Sequence, residues 1–490
     1  MTRGFRVHAS NYAWAEAATT LAGIASFPIL TRLLSVADYG TMNLVTSMLG
    51  LAVACGKLGL QHAALRMWAG VATGRAGHSM AAFEATVLGG MLASGTAALL
   101  VWLATVSFVP AGWWGEPGAG IVAWLAAPLI LIRVLDSAAT NDLRAREASG
   151  ALAIYSVARR YVLLLAIVGT LWWWSRDLVG FYLASIVFEA LALAVLLGWM
   201  FRGRPWPAPR DVSWPLYRSL AVFGLPMLGS ELANVVLALG DRLVIQAALG
   251  AEDLGIYAAS YNMCDYLRNA LLGAMAAAAY PRCVRLWESE GRAGLQRFLQ
   301  TFLIHYTIAA TFMVALMAVA GGELMALLAS SKFAAGGTVT GWIMAGMAIQ
   351  SVLAVAAIGL LLHKRTLLLM LLVIAAGATS VGLNALLVPR LGIRGAGIAV
   401  FAVFALLAAA QLVLARRDAP VVVPWRALAI YGCTALVASL GAARIELGAT
   451  GLDLVARSAT LLAAHALALV LFDRPLVLRL LQLRPPRGGA

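Results

Sequence analysis

Six basic side chains interrupt the long apolar runs of this sequence, and they are the residues that could bind an anion. They are Lys57, Arg133, Arg159, Arg160, Arg242 and Arg268. A charged side chain at the centre of a bilayer costs at least about 2.5–3.5 kcal/mol, so it faces a cavity, pairs with an acid or reaches the interface. Guanidinium groups stay charged and bind phosphate oxygens through two parallel hydrogen bonds. A cavity that these groups line could therefore hold an anionic ligand.

Two of the five arginines have an acid three residues away on the same helix face. Arg133 precedes Asp136, and Arg268 follows Asp265. Side chains at this spacing are neighbours on a helix and can neutralise each other. The spacing favours structural pairs, with a binding role as the alternative.

The remaining four basic residues leave more than one interpretation open. Arg159 and Arg160 diverge by about 100° around a helix, so either one of them faces the centre of a cavity or both lie at the headgroups. Lys57 is flanked by glycines, where another surface could approach closely, and it either lines the site or forms a structural ion pair. Asp241 and Arg242 are adjacent and should face different ways, which would suit an interlobe contact or gate.

Three acids are candidates for ion coupling. Glu16 and Glu231 are 215 residues apart and occupy equivalent positions in an internal repeat, and Asp265 is the third. Burial disfavours the charged form of a carboxyl group, so such acids can exchange H⁺ or bind Na⁺ as their exposure changes. The alternative is that each acid pairs with a nearby arginine and holds its lobe together. We expect no cofactor and no metal site, because the four cysteines form no CxxC pair.

The elements that position these charges are membrane helices. Of the 490 residues, 62% are hydrophobic and 12% are charged, whereas soluble proteins are about 45–50% apolar and about 25% charged. A membrane helix needs about 20 apolar residues, and lipid cannot satisfy open backbone groups. The sequence predicts an all-α polytopic membrane protein with no room for a globular catalytic domain. Fourteen spans are predicted, at 10–33, 40–64, 80–108, 120–140, 151–174, 178–200, 222–248, 254–280, 298–320, 338–361, 366–388, 394–415, 424–443 and 452–472.

The net charge of +14 is better explained by membrane orientation than by nucleic-acid binding. With the N-terminus inside, 23 basic residues fall in cytoplasmic segments and seven on the opposite side. This asymmetry predicts an even number of spans with both termini in the cytoplasm.

An internal repeat divides the spans. The segment TRLLSVADYGTMNLV (31–45) matches QAALGAEDLGIYAAS (246–260) when Gly40 is aligned with Gly255. Two six-helix units of the same orientation follow, an arrangement typical of transporters. The predicted regions are an N-terminal lobe (1–203), a cytoplasmic linker (204–216), a C-terminal lobe (217–418), and two further spans with a cytoplasmic tail (419–490).

Four segments resemble one known family. They are PILTRLLSVADYGTMNLV (28–45), GKLGLQHAALR (56–66), FGLPMLGSELANVVLALGDRLVIQAALGAEDLGIYAAS (223–260) and LNALLVPRLGIRGAGIAV (383–400). In order and spacing they are similar to Wzx-type polysaccharide flippases of the multidrug/oligosaccharidyl-lipid/polysaccharide (MOP) exporter superfamily. The similarity covers about residues 10–415. The resemblance implies a V-shaped transporter of twelve to fourteen helices in the bacterial inner membrane.

The resemblance also implies a substrate and partners. Family members move undecaprenyl-pyrophosphate-linked oligosaccharide to the periplasmic leaflet for O-antigen or exopolysaccharide synthesis. The pyrophosphate would then be the anion for the basic residues, and alternating access the mechanism. The expected partners are the lipid-linked oligosaccharide and membrane lipid, with a polysaccharide polymerase and a chain-length regulator as protein candidates, and no nucleic acid.

Two other functions stay open. A cation-coupled small-molecule or drug antiporter of the same superfamily would have a smaller site, richer in acids or aromatic rings. A membrane enzyme of glycan assembly would normally carry a large periplasmic loop, whereas the longest outer loop predicted here is about a dozen residues. The sequence contains no GxSxG, Walker, HExxH or HxxxD motif. We therefore expect a transporter and not an enzyme.

Overall fold

The computed structural model describes residues 3–75, 77–114, 119–356, 365–414, 422–448 and 450–474. Those ranges are helical and contain no β-strand. The helices are α1 (Arg3–Leu33), α2 (Val36–Lys57), α3 (Leu60–Ala72), α4 (Met80–Phe108), α5 (Ala119–Leu125), α6 (Pro128–Ala145), α7 (Ser149–Trp173), α8 (Leu178–Met200), α9 (Trp214–Leu249), α10 (Ala251–Arg268), α11 (Ala274–Leu324), α12 (Gly337–Ala356), α13 (Thr366–Leu391), α14 (Ile393–Leu414), α15 (Trp425–Ala442) and α16 (Thr450–Phe472).

Each predicted span coincides with helical structure, and the predicted fold class is confirmed. Within the described ranges, eleven helices are long and apolar enough to cross a membrane, or twelve if the bent pair α2–α3 is one span. One continuous helical stretch, Ala251–Ala329, contains two predicted spans. Its two parts are separated at Gly291, whose φ of 64° is not helical. Residues 357–361 of the tenth predicted span lie outside the described residues.

Two breaks divide predicted spans, and each has a local cause. The helix α2 ends at Lys57 because Leu58 and Gly59 have φ angles of 48° and 69°, and α3 then continues at an angle of 40°. Pro128 begins α6 at the first helical position, where its missing N–H costs nothing. Lys57, one of the predicted binding residues, is the last residue before the first break.

The chain divides into two compact units. The first unit is Met1–Ala258 with Val373–Pro389, and the second is Ala259–Leu372 with Arg390–Ala490. In the first unit, one buried cluster joins α3, α4, α6 and α9 through Leu60, Met91, Val134 and Leu220. In the second unit, α11 packs against α12, α15 and α16. The predicted lobe and linker boundaries stay predictions.

Glycines allow α2 and α3 to lie against other backbones of the first unit at two places. A Cβ on Gly59 would come within 2.0 Å of the Gly224 carbonyl oxygen in α9. A Cβ on Gly40 would come within 2.1 Å of the Ala251 carbonyl oxygen and 2.7 Å of the Gly255 nitrogen in α10. Small residues permit this closeness between membrane helices. The two glycines that align in the repeat, Gly40 and Gly255, therefore contact each other.

Candidate functional site

Lys57 forms an ion pair with Glu231 of α9, next to the break between α2 and α3. The Gln61 side-chain amide donates to the other Glu231 oxygen at 2.9 Å, and His62 Nε2 lies 3.9 Å from that oxygen. The Lys57 and Glu231 side chains are 16% and 22% exposed. Two residues from the sequence-based predictions, one a binding candidate and one a coupling candidate, are thus brought into one cluster, which we call the break cluster.

The break itself explains the geometry of this cluster. Gly59 contacts Gly224, so the start of α3 lies directly against α9. Glu231 is seven residues beyond Gly224, which is two helical turns, so both face the same side of α9. Lys57 is the last residue of α2, where a cation is favoured by the helix dipole. Gln61 joins the cluster because the break redirects α3, a feature that sequence spacing does not reveal.

Arg133 forms a bidentate ion pair with Glu189 of α8. Its Nε donates to Glu189 Oε2 at 2.9 Å and its Nη2 to Oε1 at 2.7 Å. The Glu189 side chain is only 3% exposed. The prediction that Arg133 neutralises Asp136 is wrong, because the long arginine side chain reaches the facing carboxylate on the neighbouring helix instead.

Asp136 is the partner of Arg159 in α7. Arg159 Nη1 lies 2.8 Å from Asp136 Oδ2, and the Tyr155 hydroxyl donates to Asp136 Oδ1. The neighbouring Arg160 is exposed, and the structure gives it no ion pair among the described residues. The two adjacent arginines therefore differ in environment, as their spacing predicts, although it does not identify the acid that binds Arg159.

Asp241 and Arg242 contact each other in α9, contrary to the prediction that adjacent residues face apart. Arg242 Nη1 lies 3.3 Å from Asp241 Oδ1, and the Arg242 backbone N–H donates to the same oxygen at 2.7 Å. The Tyr257 hydroxyl donates to Asp241 Oδ2 at 2.6 Å. Both charged residues are buried, at 3% and 6% exposure. The arginine side chain is long enough to turn back toward its neighbour.

The pair Asp265–Arg268 in α10 confirms the predicted spacing. Arg268 Nη2 lies 2.6 Å from Asp265 Oδ1, and Arg268 also donates to Ser351 in α12 at 3.2 Å. A π-helical turn follows at Asn269–Gly273, and such turns are frequent at functional sites. This pair lies in the second unit.

Glu16, the remaining coupling candidate, is in a different environment from its repeat counterpart Glu231. Its side chain is exposed, and no described residue forms an ion pair with it. Five of the six predicted basic residues are neutralised by an acid, and only Arg160 is without one in the described part of the chain. An anion that enters this protein would therefore compete with carboxylates for the other five.

The family model described as "Polysaccharide biosynthesis protein" matches residues 9–287. The chain belongs to the polysaccharide biosynthesis protein family. This confirms the family resemblance inferred from the sequence. Curated protein sequences contain no match.

Solved structures show the fold of this polysaccharide biosynthesis family member. The structure titled "Lipid II flippase MurJ, inward closed conformation" matches with a TM-score of 0.74 and 10% identity, over 95% of this chain and 99% of that chain. An inward-facing multidrug resistance MATE transporter of the MOP superfamily matches with a TM-score of 0.57 and 15% identity, over 81% of this chain and 94% of that one. The chain is therefore a multi-pass membrane protein with the fold of MOP flippases and transporters.

Proposed function

We propose that this protein is a flippase that moves undecaprenyl-pyrophosphate-linked oligosaccharide across the bacterial inner membrane by alternating access. The observation that carries the proposal is the polysaccharide biosynthesis family match over residues 9–287 in a chain with the lipid II flippase fold. The transported repeat unit would serve O-antigen or exopolysaccharide synthesis. Both termini lie in the cytoplasm, and a polymerase and a chain-length regulator are the proposed protein partners. The protein is not an enzyme.

The break cluster gives the proposal a mechanism at the level of one ion pair. Lys57 binds Glu231, so a pyrophosphate must replace that carboxylate in order to reach the lysine. Gln61 and His62 are adjacent donors for the incoming phosphate oxygens. A displaced Glu231 would then be available for H⁺ or Na⁺. Binding of the substrate to Lys57 is thereby coupled to binding of a cation by Glu231.

The other charges take graded roles in this proposal. Arg160 is exposed, so it can meet the pyrophosphate without breaking an ion pair. Arg159 reaches the substrate only by leaving Asp136, and Arg133, Arg242 and Arg268 are held by their own acids. Glu16 and Asp265 are the further coupling candidates. We expect the Lys57 and Arg160 positions to be the most sensitive to substrate charge.

A deletion strain tests the proposal. We expect it to lose surface polysaccharide and to accumulate the lipid-linked intermediate. The wild-type protein should restore both, and Arg159→Ala, Arg160→Ala and Lys57→Ala should restore them less well at equal protein level. Normal polysaccharide without an accumulated intermediate contradicts the flippase, whereas full complementation by all three variants contradicts only the cationic site.

A cation-coupled small-molecule antiporter is the second candidate, because the MATE fold also matches this chain. Proteoliposomes that contain the purified protein distinguish the two functions. A prenyl-pyrophosphate oligosaccharide, labelled on the sugar, is followed by its accessibility to a membrane-impermeant quencher. In parallel vesicles, ethidium efflux is followed under a pH or Na⁺ gradient. We expect flipping of the labelled lipid and no gradient-driven efflux, and the reverse result favours the antiporter.

A further inference from the structure

A cavity away from the break cluster lies where the chain passes from α8 to α9. Residues 202–213 form this connection, which contains three prolines and one tryptophan between Arg204 and Arg210. Trp206 and Trp214 are 60% and 70% exposed. Trp206 packs against Phe201 with ring centroids 5.1 Å apart, and Trp214 stacks on Tyr217 at 5.3 Å. The connection therefore presents large aromatic rings at one end of the first unit.

The open cavity beside these rings has a volume of about 640 Å³. Its walls come from α4, α6, α8, the connection and α9, and include Leu92, Trp206, Pro209 and Tyr217. A second, open recess of about 610 Å³, which Trp214 and Arg218 line, shares the Trp214 wall. We call the two together the linker cavity. It is lined mainly by apolar side chains, with a guanidinium group at one end.

Two glycines of α4 allow Tyr217 and the connection to pack closely against that helix. A Cβ on Gly90 would come within 2.8 Å of the Tyr217 ring, and one on Gly89 within 3.3 Å of Val212. The connection is held to α4 by the Ser213 backbone N–H, which donates to Thr86 at 2.9 Å. The cavity is therefore walled by fixed backbone and not by a loose loop.

The charge around the linker cavity is positive. Arg218 lines the second recess, and Arg202, Arg204 and Arg210 are exposed residues of the connection whose Trp206 and Pro209 line the first. The nearby acids are Asp211 and Glu84, and Glu84 is already paired with Arg146 and lies 3.7 Å from Arg204. Tryptophan and arginine concentrate at the headgroup level of a membrane, and basic pockets between membrane helices bind anionic headgroups. The cavity thus combines an apolar chamber with exposed cations at its edge.

We propose that the linker cavity binds an anionic glycerophospholipid of the phosphatidylglycerol type. One acyl chain lies along the aromatic wall between Trp206 and Tyr217, and the phosphate lies at Arg210 and Arg218. Charge complementarity favours an anionic lipid over a zwitterionic one, because the exposed arginines outnumber the nearby acids. The bound lipid fixes the α8–α9 connection at the membrane surface. This proposal does not depend on the transported substrate.

Native mass spectrometry of the full-length protein in detergent tests the site. The protein is titrated with phosphatidylglycerol and, separately, with phosphatidylcholine that has the same acyl chains. We expect the wild type to retain phosphatidylglycerol preferentially, and the variant Arg210→Gln/Arg218→Gln to bind it about tenfold more weakly. The matched control is Arg285→Gln/Arg292→Gln, which removes two exposed arginines from α11. The control should bind phosphatidylglycerol like the wild type.

A second measurement examines the acyl chain. Phosphatidylglycerol brominated along its chain should quench part of the protein's tryptophan fluorescence, and Trp206→Phe should remove a distinct share of that quenching. Equal retention of the two lipids, or an equal loss in the control variant, overturns the proposal. It is also overturned if undecaprenyl pyrophosphate displaces phosphatidylglycerol at lower concentration, because the cavity then belongs to the substrate.

Discussion

The Arg133–Glu189 pair and the Lys57–Glu231 pair both join separate helices of the first unit, but their surroundings differ. Arg133 and Glu189 lie inside the continuous helices α6 and α8, with two parallel hydrogen bonds, a Glu189 side chain that is 3% exposed and an Arg133 side chain that is 28% exposed. Lys57 and Glu231 meet beside a helix break, and both side chains are partly exposed. The first pair has a buried carboxylate that accepts two hydrogen bonds from its partner, whereas the carboxylate of the second is partly exposed and accepts one hydrogen bond from the lysine.

This difference shows how one fold can hold charges for two purposes. A buried pair with good geometry costs several kcal/mol to break, because each ion left alone in a low-dielectric surrounding is poorly solvated. A partly exposed pair is worth about 0–1 kcal/mol, so an incoming anion can replace one partner at little cost. We therefore infer that Arg133–Glu189 maintains the fold and that Lys57–Glu231 takes part in the transport cycle.

The largest effect should come from the buried pair. Glu189→Ala leaves the Arg133 guanidinium without its carboxylate, and we expect a loss of about 3–5 kcal/mol of stability. Thermal unfolding of the purified protein in detergent measures this loss. The double variant Arg133→Met/Glu189→Leu removes both charges and should recover most of the stability. If Glu189→Ala unfolds like the wild type, the buried pair is not structural and the comparison fails.

A smaller effect should come from the contact that supports the break cluster. Gly224→Ala places a Cβ 2.8 Å from the Gly59 carbonyl carbon and must push α9 away from α3. We expect a loss of about 1–3 kcal/mol, as for other overpacked contacts, together with reduced complementation. Gly198→Ala in α8 is the matched control, because nothing lies within 4 Å of its Cβ. It should be neutral or more stable by about 0.5–1 kcal/mol.

The sequence predicts the helices well because each apolar run ends at a recognisable signal. The spans 80–108 and 178–200 match α4 and α8 in the structure, where Ser79 and Asp177 cap the N-termini. The ion-pair partners could not be predicted in the same way. Glu231 is 174 residues from Lys57, and the pair forms because α2 packs against α9, a tertiary contact that no local motif indicates. Local spacing predicts the Asp265–Arg268 pair, whereas the partners of Lys57, Arg133 and Arg159 are set by the packing of separate helices.

The smallest expected change in stability, and the most informative test of the comparison, is Lys57→Gln. The substitution removes the charge, but Glu231 stays partly exposed and keeps its hydrogen bond from Gln61. We therefore expect the free energy of unfolding to fall by less than about 1 kcal/mol, while lipid flipping in proteoliposomes is lost. Lys57→Arg, which retains the charge, should recover part of the transport. A large loss of stability would place this pair with Arg133–Glu189 as a structural element. Wild-type flipping by Lys57→Gln would instead show that the lysine does not meet the pyrophosphate, and the anion site would then have to be centred on Arg160.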